Sequence, residues 1–323
     1  MRRIVCTQWG PPEDLVLVDE ADPVPGEGQV LVEVAAAGVN FVDALFVAGT
    51  YQIKVPPPFT PGSELAGTVT AVGPGVELIE VGDRVLSSLG LGGYASHAVL
   101  PALSLTRIPD AIELPSAAAL VQSYCTAWFA LKRRTTVRPD ETVLVLGAGG
   151  GVGLAAIDVA RSMGARVIAA ASTDEKLEAA RAMGASDTIA YETEDLKARA
   201  RELSEGGVDV VIDPVGGPHT DPALRALGVF GRLVVIGFAA GGIASLPANQ
   251  VLLKNRTVVG VDWGAWAMQH PAAQAVVLDE VLDGVRLGDL HPVAPAERPL
   301  ADAGAVLRDL LERRLQGKTV LVP

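Results

Sequence analysis

Residues 143–156 run Val143-Leu144-Val145-Leu146-Gly147-Ala148-Gly149-Gly150-Gly151-Val152-Gly153-Leu154-Ala155-Ala156: an apolar stretch, five glycines in seven positions, then small residues. That order predicts a strand over 142–146, a turn with little room for side chains, and a helix from Gly151 to Met163. The alternation continues downstream. Strands are expected over 166–171, 208–213, 232–237 and 257–261, with an extended stretch at 187–191. Helices are expected over 174–183, 194–203 and 219–227. Six apolar strands joined by helical crossovers make a parallel, doubly wound α/β sheet.

Before residue 120 the pattern changes. Short β-rich runs such as Gln29–Val34 and Gly67–Val72 are broken by Pro11-Pro12, Pro23-Val24-Pro25-Gly26, Pro56-Pro57-Pro58 and Gly73-Pro74-Gly75. These predict an irregular, partly barrel-like β domain. After Ala265 a long amphipathic helix, a turn around His291-Pro292 and Pro295, and a last strand over 319–322 predict a return to that first domain. The expected division is therefore 1–121 with 265–323, and 122–264.

Composition narrows the function. The chain of 323 residues is 49% apolar and carries a net charge of −12, with no basic cluster denser than Lys132-Arg133-Arg134 or Arg313-Arg314. Nucleic acid is not an expected partner. The longest nearly apolar run, 143–157, is interrupted by glycine and shorter than the roughly 20 residues that span a bilayer. No apolar core of signal-peptide length follows the N-terminal MRRIVCTQWG, so a cytoplasmic chain without membrane attachment is expected. Cys6 and Cys125 are expected as reduced, buried thiols.

A strand that ends in glycines and opens a helix lets a backbone approach a diphosphate, while the helix N-terminus presents free N–H groups. Gly147, Gly150 and Gly153 stand three apart, which departs from the commonest G-x-G-x-x-G spacing. A tight structural turn is the alternative, and the surrounding βαβ pattern favours dinucleotide binding. The end of the second strand selects the dinucleotide: an acid there suits NAD, small or basic groups suit the extra phosphate of NADP. Here the strand ends in Ser172-Thr173, with Lys176 one turn on, and Asp174 suits the helix N-terminus. NADPH is expected over NADH.

Several further motifs carry a resemblance. Ala36-Ala37-Gly38-Val39-Asn40-Phe41-Val42-Asp43, Ala48-Gly49-Thr50-Tyr51, Pro61-Gly62-Ser63-Glu64-Leu65-Ala66-Gly67, Val81-Gly82-Asp83-Arg84-Val85 and Asp213-Pro214-Val215-Gly216-Gly217 flank the glycine turn in order. Together they resemble the medium-chain dehydrogenase/reductase superfamily, and within it the zinc-free quinone oxidoreductases related to zeta-crystallin. The resemblance covers essentially the whole chain and implies a GroES-like first domain, a Rossmann second domain and a homodimer. In the zinc-dependent branch, segments matching 38–40 and 62–64 carry a cysteine and a histidine ligand; here Asn40 and Ser63 stand there, so no metal is expected.

Hydride addition to a quinone or an α,β-unsaturated carbonyl places charge on a conjugated oxygen that hydrogen-bond donors can stabilise. The resemblance implies Tyr51 as proton donor and Asn40 as amide donor, with Asp43 orienting its neighbours; a turn residue at 40 and a surface aromatic at 51 are the plainer alternatives. For the cofactor it implies Thr126, Gly147, Gly150, Gly151, Val152, Gly153, Ser172, Thr173, Lys176, Tyr191, Gly237, Phe238 and Arg313. An NADPH-dependent quinone or enone reductase is the expected function. An enoyl-thioester reductase of the acyl-CoA type and a non-catalytic NADPH-binding protein remain as alternatives.

Overall fold

The computed structural model describes residues 1–88 and 90–323. It contains two compact units, Met1–Gln122 with Val293–Pro323, and Ser123–Pro292. The first unit opens with β1 (Arg2–Val5), β2 (Val16–Asp19) and β3 (Gln29–Gly38), then helix α1 (Phe41–Val47). It continues through β4 (Glu64–Val72), β5 (Arg84–Ser87), β6 (His97–Pro101), β7 (Thr106–Arg107) and α2 (Leu114–Ala118). The long β3 is the hub: it pairs antiparallel with β4 along most of its length and with β6 over Gln29–Glu33. Its burial alternates, with Val30, Val32 and Val34 inward and Glu33 outward, as a half-buried strand requires.

In the second unit α3 (Thr126–Trp128) lies between two wide-turn helical segments, Val121–Cys125 and Phe129–Arg134. Then β8 (Thr142–Leu146), α4 (Gly151–Ser162), β9 (Arg166–Ala171), α5 (Asp174–Ala182), β10 (Asp187–Ala190), α6 (Leu196–Leu203) and β11 (Val208–Asp213) follow. The series closes with α7 (Thr220–Ala226), β12 (Leu227–Val235), α8 (Ala248–Leu252), β13 (Thr257–Gly260), α9 (Trp263–Gln269) and α10 (Pro271–Leu287). The six strands pair in parallel in the order β10-β9-β8-β11-β12-β13. The doubly wound sheet expected from the alternation is present, and Val143–Leu146 are fully buried as a central parallel strand demands.

Two boundaries differ from the sequence reading by more than two residues. The strand expected over 232–237 begins at Leu227; a register shift, with the extra residues on β12, lets Val208 pair with Leu227 before Val210 meets Arg232. The return to the first unit comes at Val293, not 265. Side-chain contacts hold α9 and α10 to the second unit: Trp266 packs on Phe129 with ring centroids 4.5 Å apart, and Glu280 accepts from Trp128 Nε1 at 2.6 Å and Arg133 at 2.8 Å. A long amphipathic helix is not by itself a domain border; its partners decide. The chain then adds β14 (Ala296–Pro299), α11 (Ala303–Leu311) and β15 (Thr319–Val322) to the first unit, where β15 pairs with β3 at Val320–Gly38 and Leu321–Ala37.

The glycine turn joins β8 to α4. Gly147 has φ +59°, and Gly153, in the first turn of α4, sits so close to the strand end that a Cβ would lie 2.3 Å from the Gly147 carbonyl oxygen. Neither backbone can yield without moving helix or strand. Gly153→Ala is therefore expected to destabilise the protein by about 2–4 kcal/mol, read as a fall in the denaturant midpoint.

Candidate active site

In the first unit, the end of β3 and the start of β4 bring together residues that the sequence keeps far apart. Glu64 is 1% exposed, and its Oε1 accepts from Lys318 Nζ at 2.7 Å and from Asn40 Nδ2 at 2.9 Å, while Oε2 accepts from the Gln122 backbone N–H at 2.8 Å. Asn40 Nδ2 also donates to Ser63 Oγ at 3.2 Å, and Asn40 Oδ1 accepts from Lys318 at 2.6 Å. The ammonium further donates to the Val39 carbonyl at 3.2 Å. A buried carboxylate is tolerable only when a cation and donors surround it, and here both are supplied. Gly38 makes room, because a Cβ there would meet Glu64 Oε1 at 2.2 Å.

This network alters the expectation for Asn40. Both amide hydrogens are engaged, by Ser63 and by Glu64, and its oxygen holds Lys318, so in this arrangement it has no free hydrogen for a substrate oxygen. Asn40 also precedes α1, where its backbone N–H donates to Asp43 Oδ2 at 2.8 Å. Asp43 is fully buried and takes a second hydrogen bond from the Tyr94 hydroxyl at 2.9 Å. Burial pushes its carboxyl up, to about 6; the Ser63 hydroxyl, the Asn40 N–H, the Tyr94 phenol and the Lys318 charge offset part of the rise. Ser63 eases the charge from nearby, yet Asp43 Oδ1 has no hydrogen-bond partner. Tyr94 in turn is held well above its ordinary pKa by burial and by the Asp43 carboxylate.

Tyr51 is half-buried just beyond α1, its ring 4.7 Å from Phe46 at 54°. Thr50 and Tyr51 both donate their N–H groups to the Leu45 carbonyl, at 3.0 and 3.2 Å. Arg313 is exposed, in a left-handed conformation two residues past α11.

In the second unit the remaining predicted positions other than Thr126 follow the carboxyl ends of the strands, where ligands bind in open α/β sheets. Gly150 caps α4 with extended φ −91°, and Gly151, Val152 and Gly153 form its first turn. At Gly150 a Cβ would meet only the Gly147 oxygen at 3.5 Å, an ordinary contact. The fold does not need a glycine there. Lys176 lays its stem on Gly149, whose Cβ would lie 2.4 Å from Lys176 Cβ. Thr173 caps α5, its hydroxyl accepting from Lys176 N at 3.4 Å, and half-buried Ser172 precedes it at the end of β9. Tyr191, just past β10, packs on His219 with ring centroids 4.2 Å apart and the planes tilted by 40°. Gly237 and Phe238 follow β12, and Phe238 is exposed. Thr126 is buried within its helical segment.

Three groups escaped sequence reasoning. Lys318 had no signal beyond a lone cation ahead of an apolar strand, and Glu64 was visible only inside its motif. Asp213 buries its carboxylate at the end of β11, accepting from Val215 N at 2.9 Å, Gly216 N at 2.8 Å and Thr220 Oγ1 at 2.6 Å, and so fixes the loop beyond the strand. Among the described residues no group of three or more His, Cys, Asp and Glu side chains could hold a metal ion, and no helix is long and apolar enough to cross a membrane.

A GroES-like β unit, a doubly wound parallel sheet and a glycine turn at its carboxyl edge define a dehydrogenase/reductase of the medium-chain type. Two family profiles match: the alcohol dehydrogenase GroES-like domain over residues 26–110 and the zinc-binding dehydrogenase over 151–278. Quinone oxidoreductase-like protein 2 of Bos taurus is 39% identical over 99% of this chain and 92% of its own length. The quinone oxidoreductase of Escherichia coli, in a crystal structure with NADPH, superposes with a TM-score of 0.91 at 30% identity, covering 100% of both chains. A structure described as an NAD-dependent alcohol dehydrogenase superposes with a TM-score of 0.90 at 33% identity, also over 100% of both. The chain belongs to the quinone oxidoreductase-like members of the medium-chain dehydrogenase/reductase superfamily.

Asp43 yields a stability test. Its folded pKa lies near 6 against an unfolded value near 3.8, so its contribution is fully present below pH 4 and is lost as the pH rises through 6. Asp43→Asn removes this loss, and its stability relative to the parent is expected to improve by about 2–3 kcal/mol between pH 4 and pH 7.5. Denaturant midpoints of both proteins across that range check it.

Proposed function

We propose that this chain is an NADPH-dependent reductase that delivers hydride to a quinone or an α,β-unsaturated carbonyl compound without zinc. The observation that carries the reading is Lys318, whose ammonium lies between Asn40 and Glu64 in hydrogen-bond contact with both. A zinc ion at these residues would have to expel that charge and accept amide and hydroxyl oxygens in place of the thiolate and imidazole it prefers. An acceptor already activated by conjugation needs no such ion.

NADPH is carried over from the relative crystallised with it because the residues here fit that dinucleotide. Gly150 leaves open the space over the start of α4 that a diphosphate would use. The tip of β9 presents Ser172 and Thr173 with Lys176 a turn on, and no carboxylate that would grip the ribose of NAD. Thr126, Tyr191, Gly237, Phe238 and Arg313 complete the proposed cofactor set. When bound, the nicotinamide supplies the hydride.

The chain's own residues then manage the charge on the acceptor oxygen. With the Asn40 amide and the Lys318 ammonium committed to their network, Tyr51 is the proton donor of this reading. Asn40, Asp43 and Glu64 fix the end of β3 and the start of α1, the helix that precedes Tyr51. The protein is further taken as a homodimer formed along β13, the edge strand of the six-stranded sheet; Phe230 (70% exposed) and Leu252 (76%) lie beside it, and the Phe230 N–H bonds the Lys254 carbonyl.

Three experiments test the reading. Gly150→Ala is expected to keep the parent's thermal midpoint to within a few degrees while weakening NADPH binding by at least about tenfold by fluorescence titration, because the added Cβ meets no protein atom closer than the Gly147 oxygen at 3.5 Å. Tyr51→Phe should lower turnover on an enone by at least about tenfold with NADPH affinity unchanged. NADPH consumption is followed with quinones, enones and enoyl-CoA thioesters. Consumption with thioesters alone makes the protein an enoyl-thioester reductase, and none with any of them leaves a cofactor-binding protein without this chemistry.

A further inference from the structure

The segment that carries Tyr51 is held at both ends by one side chain. Trp9 follows β1 and is anchored through its neighbour, since the Gly10 N–H donates to the Val47 carbonyl at 3.0 Å. One edge of its ring system lies on Gly49, where a Cβ would stand 2.7 Å from Trp9 Cγ and 2.9 Å from Cδ2. Gly49 takes φ +64°, so both its conformation and its bareness serve this contact. The opposite edge donates Nε1–H to the Val55 carbonyl at 3.1 Å. Thr50 to Lys54 run between those two points, and Lys54 Nζ closes the segment on itself at the Gly49 carbonyl. The near half is tied to α1 through the Leu45 carbonyl and the Phe46 ring. Gln52, Ile53 and Lys54 are exposed. A tryptophan 46% open to solvent thus spends its ring and its only donor on the two ends of one short segment.

We infer that Trp9 is a positioning residue: it clamps segment 49–55 and through it sets where the Tyr51 hydroxyl stands when the acceptor is reduced. This inference rests on the proton-donor reading of Tyr51. Its physical content is that a half-exposed loop cannot hold a phenol to the tolerance proton transfer requires unless both ends are fixed, and displacements near 1 Å can cost about a hundredfold in rate. Trp9→Ala removes both anchors. Trp9→Phe keeps a ring over Gly49 and loses only the hydrogen bond to Val55.

The test uses the full-length enzyme with saturating NADPH and an enone. Trp9→Ala is expected to lower kcat by about tenfold with KM changed less than about twofold, and Trp9→Phe to fall between it and the parent. Amide exchange at Thr50 and Tyr51 should quicken in the same order. In the Tyr51→Phe background Trp9→Ala should cost nothing further, since the group it positions is gone. Full additivity of the two substitutions, or unchanged exchange at Thr50 and Tyr51 in both variants, overturns the clamp. Should Trp9→Ala fail to fold, Trp9→Phe alone decides through the same two readouts. If Tyr51→Phe itself keeps full turnover, the proton-donor reading fails separately, and with it the inference that Trp9 serves Tyr51.

Discussion

The first unit depends on the neutralisation of one buried charge. Glu64 sits at the start of β4 with its carboxylate out of reach of water, and Lys318, at the other end of the chain, is the cation that makes this tolerable. Removing either partner alone would leave an uncompensated ion in the interior, an error costing about 3–5 kcal/mol. Around that pair the other features fall into place. Asn40 is oriented by it, Ser63 is drawn to Asn40, Gly38 is bare because the carboxylate fills its space, and the Gln122 backbone is tied down at the point where the first unit ends.

The glycine turn shows a second kind of constraint. Gly153 is demanded by the packing of α4 against the end of β8, Gly147 by its φ of +59° and the Val215 side chain 2.7 Å from where its Cβ would be, and Gly149 by the stem of Lys176, whereas a Cβ on Gly150 would meet no more than an ordinary contact. A glycine-rich loop thus holds two populations that look identical in a sequence. Asking what an added Cβ would strike separates them, and only the unexplained one speaks for a ligand.

The local grammar was legible because parallel strands buried on both faces read as unbroken apolar runs. Thr142–Leu146, Arg166–Ala171 and Val208–Asp213 have the bounds their residues predict, and so does Thr319–Val322 in the mixed sheet of the first unit. What was lost was long-range. Trp263–Gln269 and Pro271–Leu287 have ordinary helical sequences, and distant partners such as Phe129, Trp128 and Arg133 decide which unit they join. The same holds at the site: Asn40 and Tyr51 were visible as residue types, but the contacts that commit the Asn40 amide come from Lys318 and Glu64, 278 and 24 positions away. Trp9 carried no sequence signal, since its two contacts lie with Gly49 and Val55.

The place of Lys318 also dictates an order of assembly on the ribosome. Lys318 and β15 are made after the whole six-stranded sheet, yet β15 lies beside β3, and the ammonium completes the Glu64 site. The nascent amino-terminal segment must therefore wait, with a buried-acid site lacking its counter-ion, while the intervening sheet is translated and can close on itself. The usual progression, in which what emerges first folds first, is reversed by one basic residue near the carboxyl end.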